Sequence, residues 1–181
     1  MLKINHLPNR IDGEKIVKII RKDLFILFKK ILGLLILSLL PLIFIYILFA
    51  ININIINGDF SYPLLILGIS AYYLFIWVFF FFSFIDYYLD VWIITNKRII
   101  DIEQKGFFSR IISEQKLFRV QDITSEAHGI FPTILKYGNV HIQTAGTKQR
   151  FFFKEVPNPN EIRNTIIKLV EKNKKEQKGL S

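Results

Sequence analysis

Ile31–Ile51 reads ILGLLILSLLPLIFIYILFAI, and Tyr62–Ile85 reads YPLLILGISAYYLFIWVFFFFSFI. Across the whole of Ile31–Ile85 there is no Lys, Arg, Glu or His, and Asp59 is the one charged residue. A helix rises about 1.5 Å per residue and a bilayer core is roughly 30 Å thick, so about 20 apolar residues cross it. The two runs, of 21 and 24 residues, both meet that length. The competing reading is a pair of buried core helices, but helices this long and apolar on every face are hard to bury in a chain of 181 residues. The expectation is two membrane spans. Pro41 removes a backbone donor inside the first and predicts a kink. The connector Asn52–Ser61 is short and carries the turn formers Asn52, Asn54, Asn57, Gly58 and Asp59, which predicts an antiparallel helical hairpin. Tyr62 at one end and Trp77, Tyr87 and Tyr88 towards the other are placed as interfacial anchors.

Charge then gives an orientation. Residues 1–30 carry a net +5, the connector −1 and residues 86–181 +5, which together make the net +9 of the chain. Positive charge stays on the cytoplasmic side, and Arg21, Lys22, Lys29 and Lys30 border the first run. Both termini are expected in the cytoplasm at the cell membrane, with Asn52–Ser61 outside. The first run is longer than the apolar core of a signal peptide, and small residues do not follow it. There is no Cys, which excludes disulfides, thiolate metal ligands and thiol catalysis. The basic balance is read as attraction to an anionic leaflet, with no nucleic acid partner.

Working outward, Asp12-Gly13 marks a turn. Glu14–Lys30 then admits two readings. Ile16, Ile19, Ile20, Leu24, Leu27 and Phe28 fall at helical spacing, which gives an amphipathic helix running into the first span. Alternatively, β-branched Ile16, Val17, Ile19 and Ile20 make Lys15–Arg21 a strand of the later domain. Beyond the second run, Tyr87–Thr95 reads as a strand, Asn96-Lys97 as a two-residue turn and Arg98–Glu103 as the returning strand. Asp101 and Glu103 are expected on a wet face, and Ile100 and Ile102 on a buried one. A loop at Gln104–Arg110 and strands at Ile111–Gln115, Val120–Glu126, Val140–Ala145 and Arg150–Val156 follow, with Gly129–Leu135 irregular. That makes about six strands, mainly antiparallel. Asn158, Pro159 and Glu161 begin a helix as cap, first position and capping box. Ile162, Ile166, Leu169 and Val170 form its apolar stripe. The predicted organisation is a basic cytoplasmic segment 1–30, a transmembrane hairpin 31–85, a cytoplasmic domain 86–171 and a charged disordered tail 172–181.

Several motifs recur in a known order: Tyr88–Ile100 (YLDVWIITNKRII), Gly106–Arg110 (GFFSR), Arg119–Ile123 (RVQDI), Tyr137–Val140 (YGNV) and Val156–Pro159 (VPNP). Together they resemble the bacterial pleckstrin-homology-like (membrane-flanked, YdbS-like) domain of membrane proteins, with the Thr95-Asn96-x-Arg98 turn the most telling piece. The resemblance covers about Asp86–Val170, and Gly13-Glu14-Lys15 fits it too. It implies an α+β PH-like fold: two crossed antiparallel sheets of about seven strands, capped by a C-terminal helix. Lys15–Arg21 could supply the seventh strand. It implies no enzyme, and it assigns Thr95, Asn96, Arg98, Gly106 and Gly138 to the fold.

Related eukaryotic domains hold lipid headgroups with basic residues near the first hairpin turn, here Lys97 and Arg98. Nine strand residues at about 3.3 Å each would carry those two roughly 30 Å from Asp86, far from a bilayer. Arg98 is expected to pair locally, with Asp90 or Asp122. The next loop returns. There Lys105 and Arg110 flank Phe107 and Phe108, a pattern suited to phosphates and the interface, and these four are the candidate lipid contact. His6, His128 and His141 lie apart without metal-site spacing, and Asp101 with Glu103 reads as a solvated face. No catalytic residue, cofactor or metal is expected. The expected function is a non-catalytic binding or scaffolding module at the membrane surface, acting as a homo-oligomer or with a neighbouring membrane protein. The alternative is an accessory subunit of a transport or export complex. Its weakness is that Gly33 with Ser38, and Gly68 with Ala71, offer few small residues for helix packing.

Overall fold

The structure is a computed structural model, and it describes residues 11–51, 60–106, 109–144 and 151–178. The chain divides into two compact units, Leu24–Tyr87 and a second one made of Met1–Asp23 with Tyr88–Ser181.

The first unit is helical: α1 (Leu24–Ser38), α2 (Leu40–Ala50) and α3 (Ser61–Leu89). The expected kink at Pro41 is a break at Leu39, which leaves Pro41 in the first turn of α2, where a missing N–H costs least. Pro41 cannot bond the carbonyl of Leu37, four residues back. Tyr72 Oη donates to that oxygen at 2.8 Å, and Tyr73 Oη donates to Ser38 O at 3.0 Å. Two hydroxyls from α3 thus replace bonds lost at the break. Ser61–Leu89 has no buried side chain, and only Ile26, Pro41 and Leu48 are buried in α1 and α2. By length and composition both helical stretches, Leu24–Ala50 and Ser61–Leu89, are sufficient to cross a membrane.

The second unit is a PH-like α+β fold. One sheet has the order β1 (Ile16–Arg21), β2 (Val91–Thr95), β3 (Arg98–Lys105), β4 (Ser109–Lys116). The other has β5 (Val120–Glu126), β6 (Tyr137–Thr144) and β7 (Phe151–Pro157), and every pairing is antiparallel. A short helix α4 (Ile130–Leu135) joins β5 to β6, and α5 (Pro159–Lys178) follows β7. The core lies between the sheets and α5. Trp92 meets Phe153 across it at 5.3 Å between ring centroids, and Ile162, Ile166 and Val170 of α5 complete it. The apolar stripe of α5 is therefore placed as its spacing predicts.

Several local expectations are revised. Lys15–Arg21 resolves to the strand reading, because Ile20 pairs with Trp92 and buries in the core, so no helix runs from Glu14. Tyr87–Leu89 belong to the last turn of α3, which shortens β2 to five residues. The β2–β3 hairpin has no wet face. Ile94 and Ile99 face the main core, while Val91, Ile93, Ile100 and Ile102 form a second buried cluster on the opposite face. Strand VWIIT is apolar at nearly every position, the pattern of a strand covered on both sides. The expected loop at Gln104–Arg110 is mostly strand: Gln104 and Lys105 end β3 and pair with Arg110 and Ser109 of β4, and Gly106 follows β3 at φ +69. Ile130–Leu135 is helical despite Pro132, which sits where the first turn needs no donor. Glu161 binds Lys18 Nζ at 2.7 Å, and the Asn158 N–H donates to Lys136 O, so backbone takes the place of a capping box. Residues up to Lys178 continue α5 where an unstructured tail was expected.

Gly138 is fixed by close approach. A Cβ there would lie 2.3 Å from the Glu126 carbonyl of the paired strand.

Candidate functional site

The two ends of the first sheet have different chemistry. At one end, the Thr95–Arg98 turn gathers the segment ahead of β1. The Thr95 hydroxyl donates to Arg98 O at 2.8 Å and accepts from the Arg98 N–H, closing the turn. Asn96 clasps that segment: its Oδ1 accepts from Lys15 N, and its Nδ2 donates to Gly13 O. Lys97 Nζ donates to Asp12 O at 2.6 Å. Arg98, 3 % exposed, holds Glu14 through two bonds of 2.9 Å and also bonds Glu114. The expected partners Asp90 and Asp122 are elsewhere: Asp90 pairs with Lys22, and Asp122 accepts from Ile123 N. Burial would raise the Glu14 carboxyl, but the Arg98 bonds, the Ile11 N–H and Thr95 outweigh it and hold the group below its ordinary value. Thr95, Asn96 and Arg98 thus fasten the chain ahead of α1 to the strands after α3. In this position Arg98 is closed to a ligand.

At the other end the chain leaves the sheet and returns to it. Arg21 pairs with Val91, and Val91 with Ile102. Lys22 Nζ meets Asp90 at 2.7 Å, and Asp90 Oδ1 accepts from Gln104 N at 3.0 Å. Arg21 lies over the Tyr88 ring at 5.3 Å. The β3–β4 turn is at this same end, with Lys105 and Arg110 exposed and Gly106 O accepting from Gln104 Nε2. Phe107 and Phe108 lie outside the described residues. Asp101 is half-buried on the core face opposite Trp92, and its carboxyl is pushed up to about 6 by burial and by Glu103 and Asp90. Lys154 and the Trp92 indole act the other way. The indole N–H makes no hydrogen bond of normal geometry, so its effect on Asp101 is that of a nearby dipole.

The second sheet positions α4, a helix where the sequence predicts irregular chain. Glu155 O on β7 accepts from Asp23 N at 2.7 Å, which brings the end of β7 beside the point where the chain departs for α1. Tyr137 pairs with Pro157 there, and its hydroxyl is raised by burial, Glu155 and Asp23. Immediately before Tyr137 stands α4, and beside it an open cleft of about 480 Å³ lined by Pro132, Thr133, Lys136, Tyr137 and Asn158. Composition could have pointed to α4: IFPTIL is apolar but too short to bury a face.

His128 and His141 both approach Glu126, at 3.2 and 3.5 Å, a meeting that their separation in sequence concealed. Among the described residues there is no group of three or more His, Asp or Glu placed to hold a metal ion.

A family model described as a bacterial PH domain matches residues 23–170, which takes in α1, α2, α3, every strand except β1, and α5 as far as Val170. No curated protein matches the chain. Among solved structures, the chain is similar to a DUF1696 family protein with a pleckstrin-homology domain from Shewanella loihica PV-4. The identity is 19%, over 45% of this chain and 70% of that one, with a TM-score of 0.38.

Proposed function

The chain belongs to the bacterial PH domain family, and from that premise we propose that it is an integral membrane protein whose PH-like domain works as a non-catalytic binding or scaffolding module at the cytoplasmic membrane surface. The observation that carries this reading is the exposure of the helical unit. Core helices of a soluble protein are mostly buried, whereas the most apolar window of Ser61–Leu89 is 0% buried and that of Leu24–Ala50 is 11% buried. A lipid phase is the solvent that accepts such surfaces. The distribution of charge favours cytoplasmic termini.

On this reading Lys105 and Arg110 contact anionic headgroups, because their turn is at the end of the sheet where the chain departs for the helices. Lys97 and Arg98 serve the fold instead. Homo-oligomers or a neighbouring membrane protein are the proposed protein partners. A subunit of a transport or export complex is the second reading. Its support is a groove of about 360 Å³ lined by Leu40, Pro41, Phe44, Leu65, Gly68 and Tyr72, where a Cβ on Gly68 would meet nothing.

The test uses the absence of Cys from the chain. Single cysteines replace Phe60, directly ahead of α3, and Glu171, on α5. In right-side-out vesicles an impermeant maleimide should label Phe60→Cys at once and Glu171→Cys only after permeabilisation. Equal labelling of both in sealed vesicles would refute the topology. Recovery of the protein with a stoichiometric partner in mild detergent would favour the second reading over a self-assembling module.

A further inference from the structure

We propose that α4 is a second lipid contact, whose Ile130, Phe131, Ile134 and Leu135 enter the interfacial layer of the bilayer at the end of the domain that carries the helices. The inference rests on the membrane reading above, and goes beyond it by assigning a site outside the β3–β4 turn.

The first support is exposure. These four side chains are 75, 63, 69 and 44 % exposed, on a helix of six residues. Elsewhere among the described residues of the PH-like unit no large apolar side chain exceeds the 47 % of Val17. Large apolar residues clustered in water mark a surface that something covers.

The second support is place. Lys136, directly after α4, accepts from Asn158 N at 2.8 Å, and Tyr137 pairs with Pro157. Two residues back along β7, Glu155 O bonds Asp23 N, the residue before α1 begins. The helix is thus at the margin from which the chain departs. The links there are short: Lys22 and Asp23 separate β1 from α1, and Asp90 alone separates α3 from β2. If the long helices span a bilayer, so short a double tether keeps this margin of the domain at the headgroup layer.

The third support is chemistry. Phe, Ile and Leu beside exposed cations are the composition of an interfacial contact. Lys136 is exposed at the end of α4, and Lys105 and Arg110 are exposed at the same margin. The apolar groups would enter the acyl boundary while the ammonium and guanidinium groups meet phosphates.

The full chain is reconstituted into vesicles of phosphatidylethanolamine and phosphatidylglycerol, with an environment-sensitive fluorophore on one cysteine at a time. Ile134→Cys reports on α4, Leu67→Cys on the apolar first third of α3, and Glu171→Cys on the water-facing side of α5. Phe131→Cys is the second α4 position, and as both α4 side chains are exposed neither change disturbs the core. The expected result is blue-shifted emission at Ile134→Cys and Phe131→Cys with loss of signal to a shallow lipid-borne quencher, and neither effect at Glu171→Cys. If both α4 probes stay aqueous while Leu67→Cys is quenched, the α4 contact is overturned and the patch is left for a protein partner, with the membrane reading intact. If Leu67→Cys is also unquenched, the membrane reading fails and the α4 contact fails with it.

Discussion

Arg98 shows how a residue that resembles a ligand-binding group becomes a fastening. Its guanidinium spans Glu14 and Glu114 and is almost inaccessible. Losing one partner of a buried pair strands the other charge in a poorly solvating site, at a cost of about 3–5 kcal/mol. Arg98→Met should lower stability by that order, and Glu14→Met in the same chain should restore most of it. A double-mutant cycle on thermal unfolding in detergent measures this, and strictly additive losses would contradict it. Asp101 gives a second prediction. Its folded-state pKa is raised from 3.8 to about 6, so the fold favours the neutral carboxyl. Its contribution to stability is complete below the ordinary value and is lost as pH rises through about 6. Glu14 runs the other way, its contribution being lost as pH falls through its lowered value. Asp101→Asn should therefore flatten the fall in stability between about pH 4 and 6, as read by unfolding midpoints across that range. An unchanged slope would remove Asp101 from the account.

At the scale of elements, the break in the first long helix is a matter of hydrogen-bond completion. Pro41 frees the Leu37 carbonyl, and in lipid an unpaired carbonyl has no water to turn to. Tyr72 and Tyr73 fill the gap from α3. On the proposed membrane reading, hydrogen bonds between such helices are worth about 0.6 kcal/mol on average, so Tyr72→Phe with Tyr73→Phe should lower stability in detergent by about 1 kcal/mol. Isotope-edited infrared of the Leu37 and Ser38 carbonyls should show weaker bonding in the double variant. Frequencies identical to the parent would mean that these hydroxyls do not bond the break. The β2–β3 hairpin teaches a different lesson. Alternating charges at Asp101 and Glu103 read as a wet face, yet the strand opposite is apolar on both sides and pulls Asp101 toward the core. The raised carboxyl pKa is the consequence.

At the scale of the molecule, the long helices are an insertion into a β-hairpin connection. Strands β1 and β2 are antiparallel neighbours, with Arg21 opposite Val91, and the whole helical unit is strung between them. Removing residues 23–89 and joining Lys22 to Asp90 through Asn-Gly should leave a two-residue turn suited to that register. The product is expected to be a water-soluble domain with one cooperative unfolding transition. Deleting residues 1–22 instead should expose the edge of β2 and give an aggregating product. Cooperative folding of the deleted chain would show that β1 is dispensable. Size-exclusion chromatography and circular dichroism distinguish the two outcomes.

Most of the elements could be read locally. The apolar runs declare themselves by length and lack of charge, the hairpin turn by Asn96-Lys97, and α5 by the spacing of Ile162, Ile166 and Val170. The PH-like family was legible from an ordered set of short motifs. What tertiary structure alone decided is non-local. The strand identity of Ile16–Arg21 depends on a partner beyond the helical unit, so its own sequence fits helix and strand alike. The Glu14–Arg98 pair joins residues 84 positions apart, and nothing near Arg98 in the chain distinguishes Glu14 from Asp90 or Asp122. The exposure of α4 and its place at the margin where the chain departs follow from the register of β6 on β7 and from one backbone bond to Asp23. Periodicity records which side of an element is apolar. Which surface covers that side, or leaves it open, is set only when distant strands pair.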